Sequence, residues 1–84
     1  MEEARREIIK RAMEMGSVIR VPEIPACEYG GCEQPAVVYG KLFYGPGLRI
    51  YMCVAHFEMY GMGLGRGYGE ALVLESEMFE EREV

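Results

Sequence analysis

The sequence predicts a single small α+β domain of 84 residues, and three observations carry that prediction. An apolar stripe of helical period runs through residues 2–15. Two β-rich runs flank a Gly-Pro-Gly turn at 45–47. Three cysteines and the only histidine fall as two pairs, one on either side of those runs. A chain of this length forms one unit, residues 1–84, and buries too little apolar surface to rest on the hydrophobic effect alone. Such domains are held by a metal, by disulfides or by a partner chain.

In the first segment, residues 1–20, Ala4, Ile8, Ala12 and Met15 share one helix face, widened by Ile9 and Met13. Glu2 with Arg6 and Glu7 with Arg11 are favourable pairs four residues apart. Gly16 and Ser17 end the helix, glycine being the common residue just past a helix terminus. Residues 18–24 read as an extended arm, which Pro22 and Pro25 keep out of the middle of a sheet.

Residues 27–60 form the centre of the prediction. Cys27 to Cys32 is a tight loop in which Gly30 and Gly31 supply the positive φ needed to double the chain back. Residues 36–44 and 48–53 are the arms of a hairpin. With Tyr44 opposite Leu48, Leu42 pairs with Ile50 and Phe43 with Arg49. One face then carries Val38, Leu42, Tyr44, Leu48, Ile50 and Met52, and the other Tyr39, Lys41, Phe43, Arg49 and Tyr51. Gly40 breaks the first arm and marks a candidate bulge. A short helix over 54–60 carries His56 in its first turn.

Residues 61–69 alternate five glycines with four larger residues, which excludes a helix. They read as a linker or as a strand whose bare face lets another backbone approach, with Arg66 and Tyr68 on the opposite face. Residues 70–84 are the acidic end. Their glutamates favour an amphipathic helix, the alternative being a strand over 71–74 followed by a helical turn capped by Ser76.

The formal charge of −5 is uneven: residues 1–20 carry +1, residues 27–66 balance three basic against three acidic side chains, and residues 67–84 carry −5. An acidic balance of this kind disfavours nucleic acid as the main partner, although the neutral middle keeps that alternative open. Every acid is Glu, and Asp, Asn, Thr and Trp are absent, a composition that fits a thermophilic source. No apolar run is long enough to span a membrane and no signal peptide is visible, so the expected location is the cytoplasm.

Three cysteines cannot pair completely, which points to a metal rather than to a disulfide framework. The spacing is C-x4-C-x20-C-x2-H: Cys27, Cys32, Cys53 and His56, which uses every cysteine and the only histidine. Zinc takes four such donors at tetrahedral corners. The short loop joins the first pair, the first helical turn joins the second, and the hairpin brings the pairs together. The competing reading is three buried thiols with a core histidine. Three thiolates and one imidazole on Zn²⁺ leave a charge of −1 and no open position for a reactive water, so the ion is expected to be structural.

A cysteine knuckle, a hairpin and a helix whose first turn gives the last two ligands resemble the treble-clef group of zinc fingers. The residues that carry the resemblance are Cys27, Cys32, Gly45-Pro46-Gly47, Cys53 and His56. It implies a zinc-stabilised core and leaves function open, since treble clefs serve nucleic-acid binding, ribosomal proteins, ubiquitin-pathway adaptors and, rarely, nucleases. A nuclease needs a further histidine constellation, and His56 is already used.

Tyr39, Lys41, Arg49, Tyr51, Arg66 and Tyr68 are the candidate contact residues, because rings interleaved with cations can stack bases and touch phosphates. The same rings can pack beneath a helix, and Cys53 shares their parity. Seven methionines and six tyrosines suit an adaptable contact surface. The expected function is a non-enzymatic zinc-stabilised interaction module for a protein partner or its own copies, with no small-molecule substrate. The alternative is a nucleic-acid-binding zinc finger of the transcription or translation machinery.

Overall fold

The computed structural model describes residues 2–44 and 47–76. Its elements in chain order are α1 Glu2–Met15, β1 Val18–Val21, β2 Val38–Lys41, β3 Arg49–Met52, α2 Val54–Tyr60 and β4 Gly69–Leu74. The class is α+β, with one mixed four-stranded sheet ordered β1-β4-β2-β3. Among the described residues no helix is long and apolar enough to cross a membrane.

Helix α1 follows its apolar stripe onto β4 and β1. Ile8 and Ala12 are buried and Ala4 and Ile9 pack beside them, but Met13 and Met15 stay exposed, so the expected stripe is shorter by its last turn. The helix ending gives the reason. Gly16 adopts φ 73°, its N–H donates to the Met13 carbonyl at 3.2 Å, and the Ser17 N–H donates to the Ala12 carbonyl at 2.8 Å. This six-to-one closure draws Ser17, rather than Met15, beneath the helix end, and Ser17 is buried.

Strand β1 lies at the sheet edge, parallel to β4, with Val18 beside Ala71 and Val21 beside Leu74. It stops immediately before Pro22, as an edge strand facing proline must. Strand β4 is central, flanked by β1 and β2, and Ala71, Leu72 and Val73 are all buried. This corrects the helix expected from residue 70 onward: three consecutive buried residues bury both faces of a strand, and the glutamates that favoured a helix lie mostly beyond it. Glu75 and Ser76 are helical, while residues 77–84, and with them most of the acidic end, lie outside the described residues.

The hairpin forms, with a register two residues from the one expected. Val38 pairs with Met52, Tyr39 with Tyr51, Gly40 with Ile50 and Lys41 with Arg49. Val38 and Met52 come opposite each other in the buried cluster that includes Ile8, Ala12 and Ala71. A shift of two keeps each strand side chain on its expected face, so burial of that face does not distinguish the two registers. Gly45 and Pro46 lie outside the described residues.

Gly40 is not a bulge. It pairs regularly on both sides, and its role is close approach: a Cβ there would lie 2.7 Å from the Gly69 Cα on β4. Residues 61–69 are bonded into the sheet instead of forming a free linker. The Met62 N–H donates to the Lys41 carbonyl at 3.0 Å and the Lys41 N–H to the Tyr68 carbonyl at 2.7 Å, while Gly65 and Gly69 exchange two bonds of 2.8 and 2.9 Å. The backbone that approaches these glycines is thus the chain's own.

Candidate metal centre

The first two donors sit on a loop shaped by its backbone bonds. Cys27 N–H donates to the Gln34 carbonyl at 2.8 Å and Cys32 N–H to the Tyr29 carbonyl at 3.0 Å, while Gly30 and Gly31 take φ of 56° and 80°. Glu28 fastens this loop to β3 twice: its N–H donates to the Tyr51 carbonyl at 2.8 Å, and its carboxylate accepts from the Tyr51 N–H at 3.1 Å. The edge of β3 therefore presents the loop at a fixed height. Cys53 follows β3 directly, caps α2 in an extended conformation (φ −76°, ψ 175°), and places His56 in the first helical turn.

The four donor atoms of Cys27, Cys32, Cys53 and His56 lie within 4.8 Å of one another. His56 Nδ1 is 3.4 Å from the sulfurs of both Cys27 and Cys53, and the Cys32 and Cys53 sulfurs are 4.0 Å apart. A tetrahedral ion with ordinary zinc–ligand bonds requires about 3.8 Å between sulfurs and about 3.6 Å between sulfur and nitrogen. These three separations lie within about 0.2 Å of the edges of such a tetrahedron, and all four donors lie within 4.8 Å of one another. All three cysteines are free, and 4.0 Å is about twice a disulfide bond. Cys27 and Cys53 are buried, whereas Cys32 and His56 are half-buried.

The two buried thiols are tuned in opposite directions. Burial pushes the Cys27 thiol above its ordinary range. The N–H groups of Tyr29 and Cys53 oppose this, and the neighbouring Cys32 and Cys53 thiols add to it. Burial also acts to raise Cys53, but the His56 N–H, the Cys27 and Cys32 thiols and the Ala55 N–H outweigh it, and Cys53 is lowered. Three soft donors and one borderline donor in this geometry can hold a divalent cation of the zinc type.

An aromatic wall closes one side of the centre, and the sequence reading missed it. The Tyr29 ring stacks on His56 with centroids 4.6 Å apart and 27° between planes, and Tyr60 stacks on Tyr29 at 4.7 Å and 5°. The Tyr29 and Tyr44 hydroxyls are hydrogen-bonded at 2.5 Å, a bond that, ahead of burial, raises the Tyr29 phenol. One signal was available: Tyr60 stands four residues after His56 on a helix, the spacing of facing side chains.

Of the candidate contact residues, Tyr39, Lys41, Arg49 and Tyr51 fall on the sheet face opposite α1. Tyr39 and Tyr51 are cross-strand partners with rings 4.7 Å apart, the Arg49 guanidinium lies 4.7 Å over Tyr39, and Lys41 lies 5.8 Å over Tyr68. Arg49 is also ion-paired with Glu70. Arg66 and Tyr68 are exposed on the turn before β4. Phe43 does not join this face. Strand β2 ends at Lys41, alternation ends with it, and the Phe43 ring meets Tyr44 and Tyr60 instead. Comparison with family models, curated proteins and solved structures finds no match to this chain.

Proposed function

We propose that Cys27, Cys32, Cys53 and His56 bind one Zn²⁺ as a structural ion in a treble-clef-like core, and that the domain is a non-enzymatic cytoplasmic interaction module. The observation that carries this reading is the convergence of four protein donors within 4.8 Å of one another, three of their separations being close to tetrahedral edges. Four protein donors fill a tetrahedron and leave no position for an activated water. Around the core, Phe43, Tyr44, Leu48, Met59, Met62 and Tyr68 are exposed, an apolar and aromatic surface suited to a protein partner or a second copy. Sedimentation of the zinc-loaded chain, with pull-down from its source, tests this. The proposal expects self-association or a retained protein, and a strict monomer that retains nothing contradicts it.

The nucleic-acid reading has one observation in its favour, the basic and aromatic face of Tyr39, Lys41, Arg49 and Tyr51. Against it, Arg49 already has Glu70 as its counter-charge. Retention on immobilised RNA and DNA separates the two readings, since phosphate contact predicts affinity that falls as salt rises.

A further inference from the structure

We infer that Tyr29 is a positioning residue for the metal centre: its ring lies over His56 and slows release of a bound ion by holding the imidazole in place. This rests on the zinc reading above and adds a control on that same site. Tyr29 lies 4.6 Å from His56 and 4.7 Å from Tyr60, with 27° and 5° between planes, while His56 lies 6.1 Å from Tyr60 at 23°. Stacked rings sit about 3.5 Å apart, so two rings on opposite faces of Tyr29 would be at least about 7 Å from each other. His56 and Tyr60 are closer than that, and therefore lie on the same face of Tyr29. The Tyr29 ring straddles the two, which stand side by side one turn apart on α2.

Tyr29 is itself held at both ends. At the backbone, the Glu28 N–H donates to the Tyr51 carbonyl at 2.8 Å, the Glu28 carboxylate accepts from the Tyr51 N–H at 3.1 Å, and the Tyr29 carbonyl accepts from the Cys32 N–H at 3.0 Å. At the far end of the ring, its hydroxyl is bonded to that of Tyr44 at 2.5 Å. The ring thus spans from the ligand loop to the end of the hairpin arm, across the face of a candidate ligand.

His56 aims Nδ1 at the Cys27 and Cys53 sulfurs, 3.4 Å from each. A ligating imidazole is ordinarily steadied by a hydrogen bond from its other nitrogen. Among the described residues no protein group accepts from His56 Nε2, and the face of the ring is held instead. To withdraw Nδ1, the imidazole must turn about its Cα–Cβ or Cβ–Cγ bond, which sweeps it out of its plane into the space that Tyr29 occupies. A half turn about Cβ–Cγ restores the same plane, so stacking does not choose between the end orientations. It raises the barrier between them, and its effect falls on the rate of release. His56 also lies on the open side of the centre, since it and Cys32 are half-buried while Cys27 and Cys53 are buried. A competing chelator meets His56 or Cys32 first, and Tyr29 covers one of them.

The test is the rate at which zinc passes from the loaded full chain to an excess of the coloured chelator 4-(2-pyridylazo)resorcinol. Amide NMR checks the fold of each variant, and the His56 ring protons report the stack. Tyr29→Ala should release zinc about three- to tenfold faster, the size of a lost aromatic pair, while still taking up one zinc per chain. Tyr29→Phe and Tyr44→Phe keep the rings and lose only an exposed hydroxyl bond, so both should stay within about twofold of the parent. The His56 ring protons, shifted upfield by the Tyr29 ring in the parent and in Tyr29→Phe, should move downfield in Tyr29→Ala. Tyr29→Leu supplies a second comparison if the alanine variant does not fold: it keeps apolar bulk without a ring face, and should release zinc faster than Tyr29→Phe. Equal release from Tyr29→Phe and from the folded alanine or leucine variant, or His56 ring protons that do not respond to loss of the Tyr29 ring, overturns the inference and leaves the zinc reading standing. A parent chain that takes up no zinc removes both.

Discussion

The two halves of this molecule are held by different physics. On one side, α1 packs Ile8 and Ala12 against Val38, Met52 and Ala71 of the sheet, an ordinary apolar core. On the other, the Cys27–Cys32 loop and α2 meet around four donor atoms and a stack of rings, and Val54 is the buried residue of α2. The first half is organised by area removed from water. The second has less such area, and under the proposal above its order depends on a bound ion. The halves meet along β3 and the start of α2: Met52, fully buried in the core, precedes Cys53, the third candidate donor, Val54 and Phe57 of α2 pack in the same apolar cluster, and Glu28 of the loop bonds Tyr51. A short domain can therefore place a polar centre beside its core when a single strand serves both.

That contrast sets the order of expected effects. Cys53→Ala removes a donor at the junction and has the largest. Structural zinc is worth about 10–16 kcal/mol in finger peptides, as much as or more than the whole stability of a typical domain. Loss of dispersed amide signals from both halves together is expected; an α1–sheet half that stays folded would show the halves to be independent.

Met52→Ala attacks the same junction from the apolar side. Truncating a buried methionine costs about 2–5 kcal/mol, read as a lower denaturation midpoint. The folded fraction should still hold one metal per chain; a fractional metal content in folded protein would mean that the core itself shapes the site.

Gly40→Ala sharpens the comparison within the sheet. The added methyl meets backbone of β4, which cannot swing aside as a side chain can, so a loss of about 1–3 kcal/mol is expected in chemical denaturation. The smallest effect belongs to the pair Arg49 and Glu70. Their side chains are 31% and 23% exposed, and Glu70→Gln should cost no more than about 1 kcal/mol, less at high salt. A larger loss would place real stability on the face opposite α1.

How much of this was legible in the sequence follows the same division. The clustering of Cys27, Cys32, Cys53 and His56 was, because the chain has only three thiols and one imidazole and their spacing pairs them across the hairpin. So were α1, with its Gly16 ending, and α2, because their signals are local. The hairpin register was not: a turn motif suggests one pairing, but registers two residues apart bury the same face, so the pattern of apolar residues does not choose between them. The fate of residues 70–74 was hidden for a related reason. A central strand reads as an apolar run too short to distinguish from a helix turn, and only pairing with both Val18–Val21 and Val38–Lys41 makes it a strand. The aromatic wall escaped because Tyr29, Tyr44 and Tyr60 are far apart in the chain and converge only once the loop and α2 have been joined.

The most direct measurement is metal stoichiometry by native mass spectrometry on protein purified without added metal, with amide NMR before and after a strong chelator. One zinc per chain, with native dispersion lost on its removal and regained on its return, is the expected result. A metal-free chain that keeps its dispersion in chelator, with Cys27, Cys32, Cys53 and His56 all replaced, would contradict a fold organised by a bound ion.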